Sequence, residues 1–418
     1  MSHVVFTKEM KKDYTILIPN MSPIHFALFE KVVINNGFKA MILNNQDSDI
    51  IQLGLKYVHN DMCYPALLVI GQMIDAIEKG LVDPHKCALV ISQTGGGCRA
   101  SNYYFLLLKA LDRAGLGYIP VISMNLSGMN KNPGFKITLT MIVQAFSALL
   151  YGDIIMYMRN QTAPYEINKG ETDRLVKKWT DDLGEKFRVN KDYFWSNLKK
   201  NMNKISDDFA SIPVKRDKKV KVGIVGEIYM KFSRLGNSDL QRFLEDEGCE
   251  VMLPPLLGFI LYCFSNNKRD YEYYGRHPML YKLTRHVFLP LMEKCEGYMD
   301  DAIRRHKEYV VPAGLEELES YADGIIDTGC KMGEGWLLTA EMVELIEKGY
   351  SNIVCTQPFG CLPNHIVGKG MIRPLKEKFK DANIVPIDYD PSATKVNQEN
   401  RIKLMLAVAR EKLEEETF

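Results

Sequence analysis

Residues 14–44, YTILIPNMSPIHFALFEKVVINNGFKAMILN, decide the fold. YTILIPN reads as a strand, SPIHFALFEKVVINNG as a helix that stops at Gly37, and KAMILN as a second strand. The same rhythm continues through YPALLVIGQMIDAIEKG (helix), CALVISQ (strand), NYYFLLLKALDRAG (helix) and YIPVISMN (strand). Strict alternation of this kind predicts a doubly wound parallel sheet with right-handed crossovers. Residues 136–160 read as one more long helix that closes this first unit.

From 165 to 215 the alternation stops, and the sequence becomes charged and helical up to a basic turn. It restarts with the strand KVKVGIVGEIY, the helix SDLQRFLEDEG and the strand CEVMLPP. LEELESYADGIIDTG, TAEMVELIEKGYSNIVC and PLKEKFKDANIVPIDYD repeat helix-then-strand, and ENRIKLMLAVAREKLEEE is a terminal helix. A chain of 418 residues is too long for one hydrophobic core. The expectation is an α/β protein of two Rossmann-like doubly wound lobes, residues 1–164 and 216–418, joined by a helical connector over 165–215. A cleft between lobes is the natural place for chemistry.

Composition narrows the function. Hydrophobic residues at 46% and charged residues at 25% are ordinary for a globular protein. A formal net charge of +1 gives no electrostatic case for nucleic acid or an anionic membrane. The N-terminal stretch meets charges before any apolar run long enough for a signal peptide. LPPLLGFILYCF and IVQAFSALLYGDIIMYM read as too short or too polar to span a bilayer. A cytoplasmic location is expected. Nine cysteines, an odd number in a reducing compartment, do not suggest a disulfide framework.

Cys87, Cys249, Cys263 and Cys295 read as small core residues. The other five fall at turns. Cys63, in HNDMCYPALLVIGQ, sits at a helix start, where the dipole and free N–H groups favour a thiolate. Cys98 ends SQTGGGCRASNYY, a strand running through Gly95, Gly96 and Gly97 into a helix. Three glycines permit close backbone approach to phosphate or to cluster sulfides; neither a P-loop nor GxGxxG is present, and the neighbouring thiol favours sulfides. Cys330 follows the expected strand GIIDTG. Cys355 and Cys361 flank TQPFG in SNIVCTQPFGCLPNHI, residues 351–366, where Pro358, Gly360 and Pro363 imply a stiff loop just beyond a strand.

Soft thiolates select zinc or iron–sulfur clusters. Zinc sites favour Cys-x2-Cys knuckles, and none exists here. One ligand per loop, drawn from both lobes, suits a cluster buried between them. A cysteine hydrolase with His59 or His365 as base is the competing chemistry, though no spacing selects a Cys–His dyad.

NDMCYPALLVIGQ, SQTGGGCRASNYY, GMNKNPGFKIT, GEGWLLTAEMVELI and IVCTQPFGCLPNHIVGKGMI resemble the 2-hydroxyacyl-CoA dehydratase superfamily, over about residues 14–410. The nearest resemblance is to its large proteins in which this portion follows an ATP-dependent activase. The resemblance implies a two-lobed α/β protein holding an oxygen-sensitive 4Fe–4S cluster, with Cys63, Cys98, Cys355 and Cys361 as metal ligands and Cys330 as a further candidate. It implies as partners a separate ATP-hydrolysing activator, itself an iron–sulfur protein, and an acyl-CoA or other small-molecule substrate. Dehydratases of this type pass one low-potential electron to a 2-hydroxyacyl-CoA, whose ketyl radical expels hydroxyl to give an enoyl-CoA. Sister proteins carry a double-cubane cluster and reduce small molecules. A homodimer or heterodimer is expected, as is the absence of intrinsic ATPase activity, since no ATPase motifs occur. A non-catalytic electron carrier or assembly partner is the alternative.

Other residues admit two readings. His59 and His365 are proton donors or plain loop histidines, Glu334 an acid or a cap for a helix at Thr339, and Gly223–Glu227 half a nucleotide fingerprint or packing. The aromatics near 271–282 are a pocket wall, a lid or packing.

Overall fold

The computed structural model describes residues 3–93, 97–124, 132–189 and 195–415. Among these, eight strands form two four-stranded parallel sheets of identical topology. The first is ordered β2-β1-β3-β4, from β1 (Thr15–Pro19), β2 (Lys39–Leu43), β3 (Cys87–Ser92) and β4 (Val121–Met124). The second is ordered β6-β5-β7-β8, from β5 (Lys221–Gly226), β6 (Glu250–Met252), β7 (Asn352–Pro358) and β8 (Asn383–Tyr389). Register pairs Leu17 with Leu89 in the first sheet and Ile224 with Val354 in the second. Helices cover both faces, which is why the central strands are buried along nearly their whole length. In each sheet the winding reverses between the first and third strands, β1/β3 and β5/β7, the switch points where open α/β sheets bind ligands.

Each sheet packs on a helix that is buried nearly all round. α1 (Pro23–Asn35) follows β1, and α2 (Tyr64–Glu78) precedes β3 and is buried at every position from Tyr64 to Ile77. α3 (Tyr103–Arg113) follows β3. α4 (Leu139–Thr162) packs on α1 and also on β6 of the second lobe, so the cores of the two lobes are continuous. With the turn to Tyr165 it is 27 residues long and apolar enough to cross a bilayer, but 67% of its most apolar stretch is buried inside the protein. The sequence expectation of a segment too short or too polar to span is therefore corrected: length and apolarity suffice, and α4 is a core helix. Arg159 near its end holds Asp173 at 3.0 Å and Glu245 of the second lobe.

α5 (Glu171–Arg188) and α6 (Trp195–Ala210) occupy the charged stretch. α5 lies on α1, and α6 lies on α4 and on α8 (Leu289–Arg304), which follows α7 (Leu256–Tyr274). α9 (Gly335–Glu347) is the second lobe's counterpart of α2, buried from Gly335 to Leu345 ahead of β7. α10 (Lys395–Glu415) ends the described chain. The strand expected at GIIDTG does not form. Gly324 turns at φ +70°, and Asp327 Oδ1 accepts from Gly329 N at 2.6 Å, so two isoleucines remain in a run of turns.

Candidate thiol site between the lobes

Cys63 stands immediately before α2, with Pro65 in the first turn, and is buried. Its sulfur lies 2.9 Å from Tyr103 Oη at the start of α3. The sequence favoured a thiolate here through the helix dipole. Burial outweighs it: desolvation pushes the thiol up to about 11, against hydrogen bonds from Tyr103 and the Ala66 N–H, while the negative charges of Glu227 and Cys98 push it further up. Burial likewise holds the Tyr103 phenol well above its usual range.

Cys98 is half-buried and caps the 3-10 turn Arg99–Asn102 that leads into α3. Of the three glycines, Gly95 and Gly96 lie outside the described residues, as do residues 128–131 of the GMNKNPGFKIT motif. Gly97 is described, and a Cβ there would meet Met332 Sδ at 2.8 Å, so this loop rests on a loop of the opposite lobe.

Cys361 follows β7 and is buried. Gly360 before it adopts φ +74°, and a Cβ on it would lie 3.1 Å from both Cys63 Cα and Met62 O. The Tyr64 N–H donates to Phe359 O at 2.9 Å. The turn after β7 is thus seated by its backbone on the start of α2, and Cys361 is carried up to Cys63 across the lobe boundary. Asn364 Nδ2 donates to Cys361 Sγ at 3.4 Å and to Glu334 Oε2 at 3.0 Å. Burial, then the charges of Glu334 and Glu227, drive the Cys361 thiol upward.

Two carboxyls close the site. Glu227, directly after β5, accepts from Met230 N at 2.8 Å. Glu334, directly before α9, accepts from Ile228 N at 2.9 Å. Helix α9 begins four residues earlier than the expected start at Thr339, so Glu334 stands at its entrance but serves the loop after β5 of the same lobe. Desolvation and then Glu334 push Glu227 up to about 8, and burial raises Glu334 as well. Such a pair shares protons and titrates together. The two lobes thereby contribute equivalent positions: Cys98 and Cys361 follow the third strand of each sheet, and Cys63 and Glu334 precede the buried helix of each lobe.

Cys355 belongs elsewhere. The sequence put it in the loop, but β7 continues to Pro358 and pairs Cys355 with both Val225 and Pro386. Pro358 is tolerated because it ends the strand. The Cys355 sulfur is fully buried and accepts from Gln357 Nε2 at 2.8 Å. Burial pushes it up to about 12, and the acids it feels are Glu341 and Asp388, not the Glu227–Glu334 pair. Cys330 is exposed in a turn, its carbonyl accepting from Trp336 N at 2.7 Å. Cys87, Cys249 and Cys295 are buried as expected, whereas Cys263 is exposed. His59 is exposed, with Asp61 3.5 Å away. His365 is half-buried, next to the buried Asn364.

Sequence reasoning missed Tyr103, Glu227 and Asn364. Glu227 had a usable signal, a carboxylate directly after a strand at a switch point. Tyr103 and Asn364 carried none beyond adjacency to the cysteine motifs.

Among the described residues, no three His, Cys, Asp or Glu side chains cluster tightly enough to share one metal ion. A tetrahedral zinc, with Zn–S near 2.3 Å, needs its sulfurs within roughly 4 Å of one another. A polynuclear cluster spreads its thiolates over several irons and takes wider spacing. The donor set, three thiols from three loops with hydrogen bonds already aimed at two sulfurs, fits the wider case. No protein-family model matches the chain, and no curated protein matches it either.

Proposed function

We propose that Cys63, Cys98 and Cys361 hold an iron–sulfur cluster between the lobes, and that the protein works as a 2-hydroxyacyl-CoA dehydratase-type enzyme. The supporting observation is the seating of the Phe359–Cys361 turn on the start of α2, which joins thiols 298 positions apart in sequence at one lobe boundary. When bound, the cluster would take one low-potential electron from an ATP-dependent activator and make it available to a 2-hydroxyacyl-CoA. The chain's own residues would do the rest. Binding releases the thiol protons that burial otherwise retains. Tyr103 Oη and Asn364 Nδ2 then donate to the Cys63 and Cys361 sulfurs. Glu227 and Glu334 keep a proton beside the site.

The lobes are Rossmann-like, with 165–215 as helical connector. Nine cysteines, an odd number, suit a reducing, cytoplasmic setting. Exposed Met332, Phe359, Leu362 and Ile366 flank the site loops and offer a face for the activator or a second subunit. A second reading, a double-cubane reductase of small molecules, draws on Cys263 and Cys330, both exposed and both felt by the Tyr262 phenol.

Anaerobic purification, reconstitution, and iron and sulfide counting test the centre. Iron retained in both Cys63→Ala and Cys361→Ala discards it. Incubation with an activator, ATP and reductant then tests the activity: enoyl-CoA formation supports the dehydratase, and cluster reduction without turnover of any acyl-CoA or small reducible molecule supports an electron carrier.

A further inference from the structure

A second concave site lies at the C-terminal edge of the first sheet, away from the thiols. It has a volume of about 340 Å³ and is lined by residues of both lobes. Asn20 directly follows β1, Asn44 directly follows β2, Gln72 projects from the middle of α2, and Arg234 opens the short helix Arg234–Asn237 of the second lobe. Gln72 is nine residues along α2 from Cys63, about 13 Å at 1.5 Å per residue.

The polar groups here are unevenly satisfied. The Gln72 side chain is 1% exposed, and its Nε2 donates to Asn45 O at 3.0 Å and Leu43 O at 3.4 Å. Its Oε1 is buried and has no partner. Asn20 Nδ2 donates to Asn44 Oδ1 at 2.8 Å, which leaves Asn20 Oδ1 buried and without a partner too. Buried acceptors without donors are costly, so two in one cavity call for an occupant. Arg234, also lining the cavity, is 59% exposed, and its ion pair is a long one, Nε to Asp239 at 3.6 Å. A guanidinium lining the cavity can take a carboxylate in a bidentate manner.

We propose that this cavity binds a small carboxylate bearing hydroxyl or amino donors. The carboxylate meets Arg234, and the donors meet the carbonyl oxygens of Asn20 and Gln72. The size suits a metabolite of a few carbons, and occupancy bridges the two lobes. The proposal stands apart from the thiol-site reading.

Calorimetric titration of the whole protein with four probes tests it. L-Malate supplies carboxylates and a hydroxyl, L-glutamate carboxylates and an amine, succinate carboxylates alone, and glycerol donors alone. Malate or glutamate is expected to bind at least tenfold more tightly than succinate or glycerol, and which of the two wins identifies the donor. Arg234→Gln and Gln72→Leu should each weaken that binding about tenfold, and Cys63→Ala should leave it unchanged. Arg234 is on the surface, so its variant reports even if Gln72→Leu does not fold. The proposal is overturned if no probe binds at millimolar concentration, which makes the cavity a water site only. It is also overturned if succinate matches malate and glutamate, or if Arg234→Gln binds as tightly as the parent.

Discussion

Tyr103 Oη sits 2.9 Å from Cys63 Sγ, with both side chains buried, one at the start of α3 and the other just before α2. A metal-bound thiolate has no proton, so the phenol must be the donor in the loaded site. A hydrogen bond to a ligand sulfur stabilises the more negative, reduced state. If the site holds the proposed cluster, Tyr103→Phe is expected to retain iron but to titrate at a more negative potential, by on the order of 50 mV, close to one tenfold step for one electron. Potentiometric titration followed by spectroscopy checks this. An unchanged potential with full iron content makes Tyr103 a packing residue.

Gly360 offers a test of the lobe contact. Its φ of +74° disfavours any side chain, and a Cβ would press on Cys63 Cα and Met62 O at 3.1 Å. Gly349 has a similar φ of +85° with nothing within 4 Å. Both alanine variants carry the backbone cost of about 1 kcal/mol. Only Gly360→Ala must also shift the Cys361 turn against α2 by a few tenths of an ångström, so only it should lower the iron content of the proposed cluster site. Equal iron in the two variants would show that the turn tolerates displacement.

These relationships explain what the sequence made legible. Apolar β-branched runs at β1, β3, β5 and β7 gave the parallel sheets, because strands buried on both faces leave a continuous signal. Cys63, Cys98 and Cys361 were readable because helix starts and post-strand turns are marked by Asn, Asp, Gly and Pro. Cys355 was misplaced because Thr-Gln-Pro resembles the start of a loop, and nothing local records that β8 extends the pairing to Pro358. GIIDTG was misread for the opposite reason: two isoleucines beside glycine suggest a strand, but no neighbour is available to pair with them. Tyr103, Asn364 and the unpartnered Gln72 oxygen are tertiary facts, defined by partners distant in sequence.

Ser22, His25 and Asp153 form a buried chain that ties three helices. Ser22 Oγ is 2.8 Å from His25 Nδ1, and His25 Nε2 is 2.9 Å from Asp153 Oδ1. Asp153 also accepts from Leu256 N at 2.7 Å and Leu257 N at 2.9 Å, the first N–H groups of α7. Asp153→Ala strands a histidine and two amides in the core, with an expected cost of about 3–5 kcal/mol. Denaturant unfolding measures it. A loss below about 1 kcal/mol would mean that water replaces the carboxylate.

Away from the thiols, a second group of buried acids contributes to the pH response. Burial, ahead of repulsion from Asp300, pushes Glu296 up to about 8; burial pushes Glu344 up to about 7 against the Ala313 N–H and Lys348, and Asp300 up to about 6 against Arg304 and Lys348. Folded chains then hold more protons than unfolded ones from about pH 4.5 to about pH 8. Stability is fully present below that window and falls as pH rises through it. Glu296→Gln has no charge to bury, so it should match the parent near pH 4.5 and exceed it near pH 9. The expected gain is on the order of 2 kcal/mol, since each tenfold change in proton affinity is worth about 1.4 kcal/mol. Thermal unfolding across that range checks it, and parallel pH profiles for parent and variant would mean that water reaches the Glu296 carboxylate.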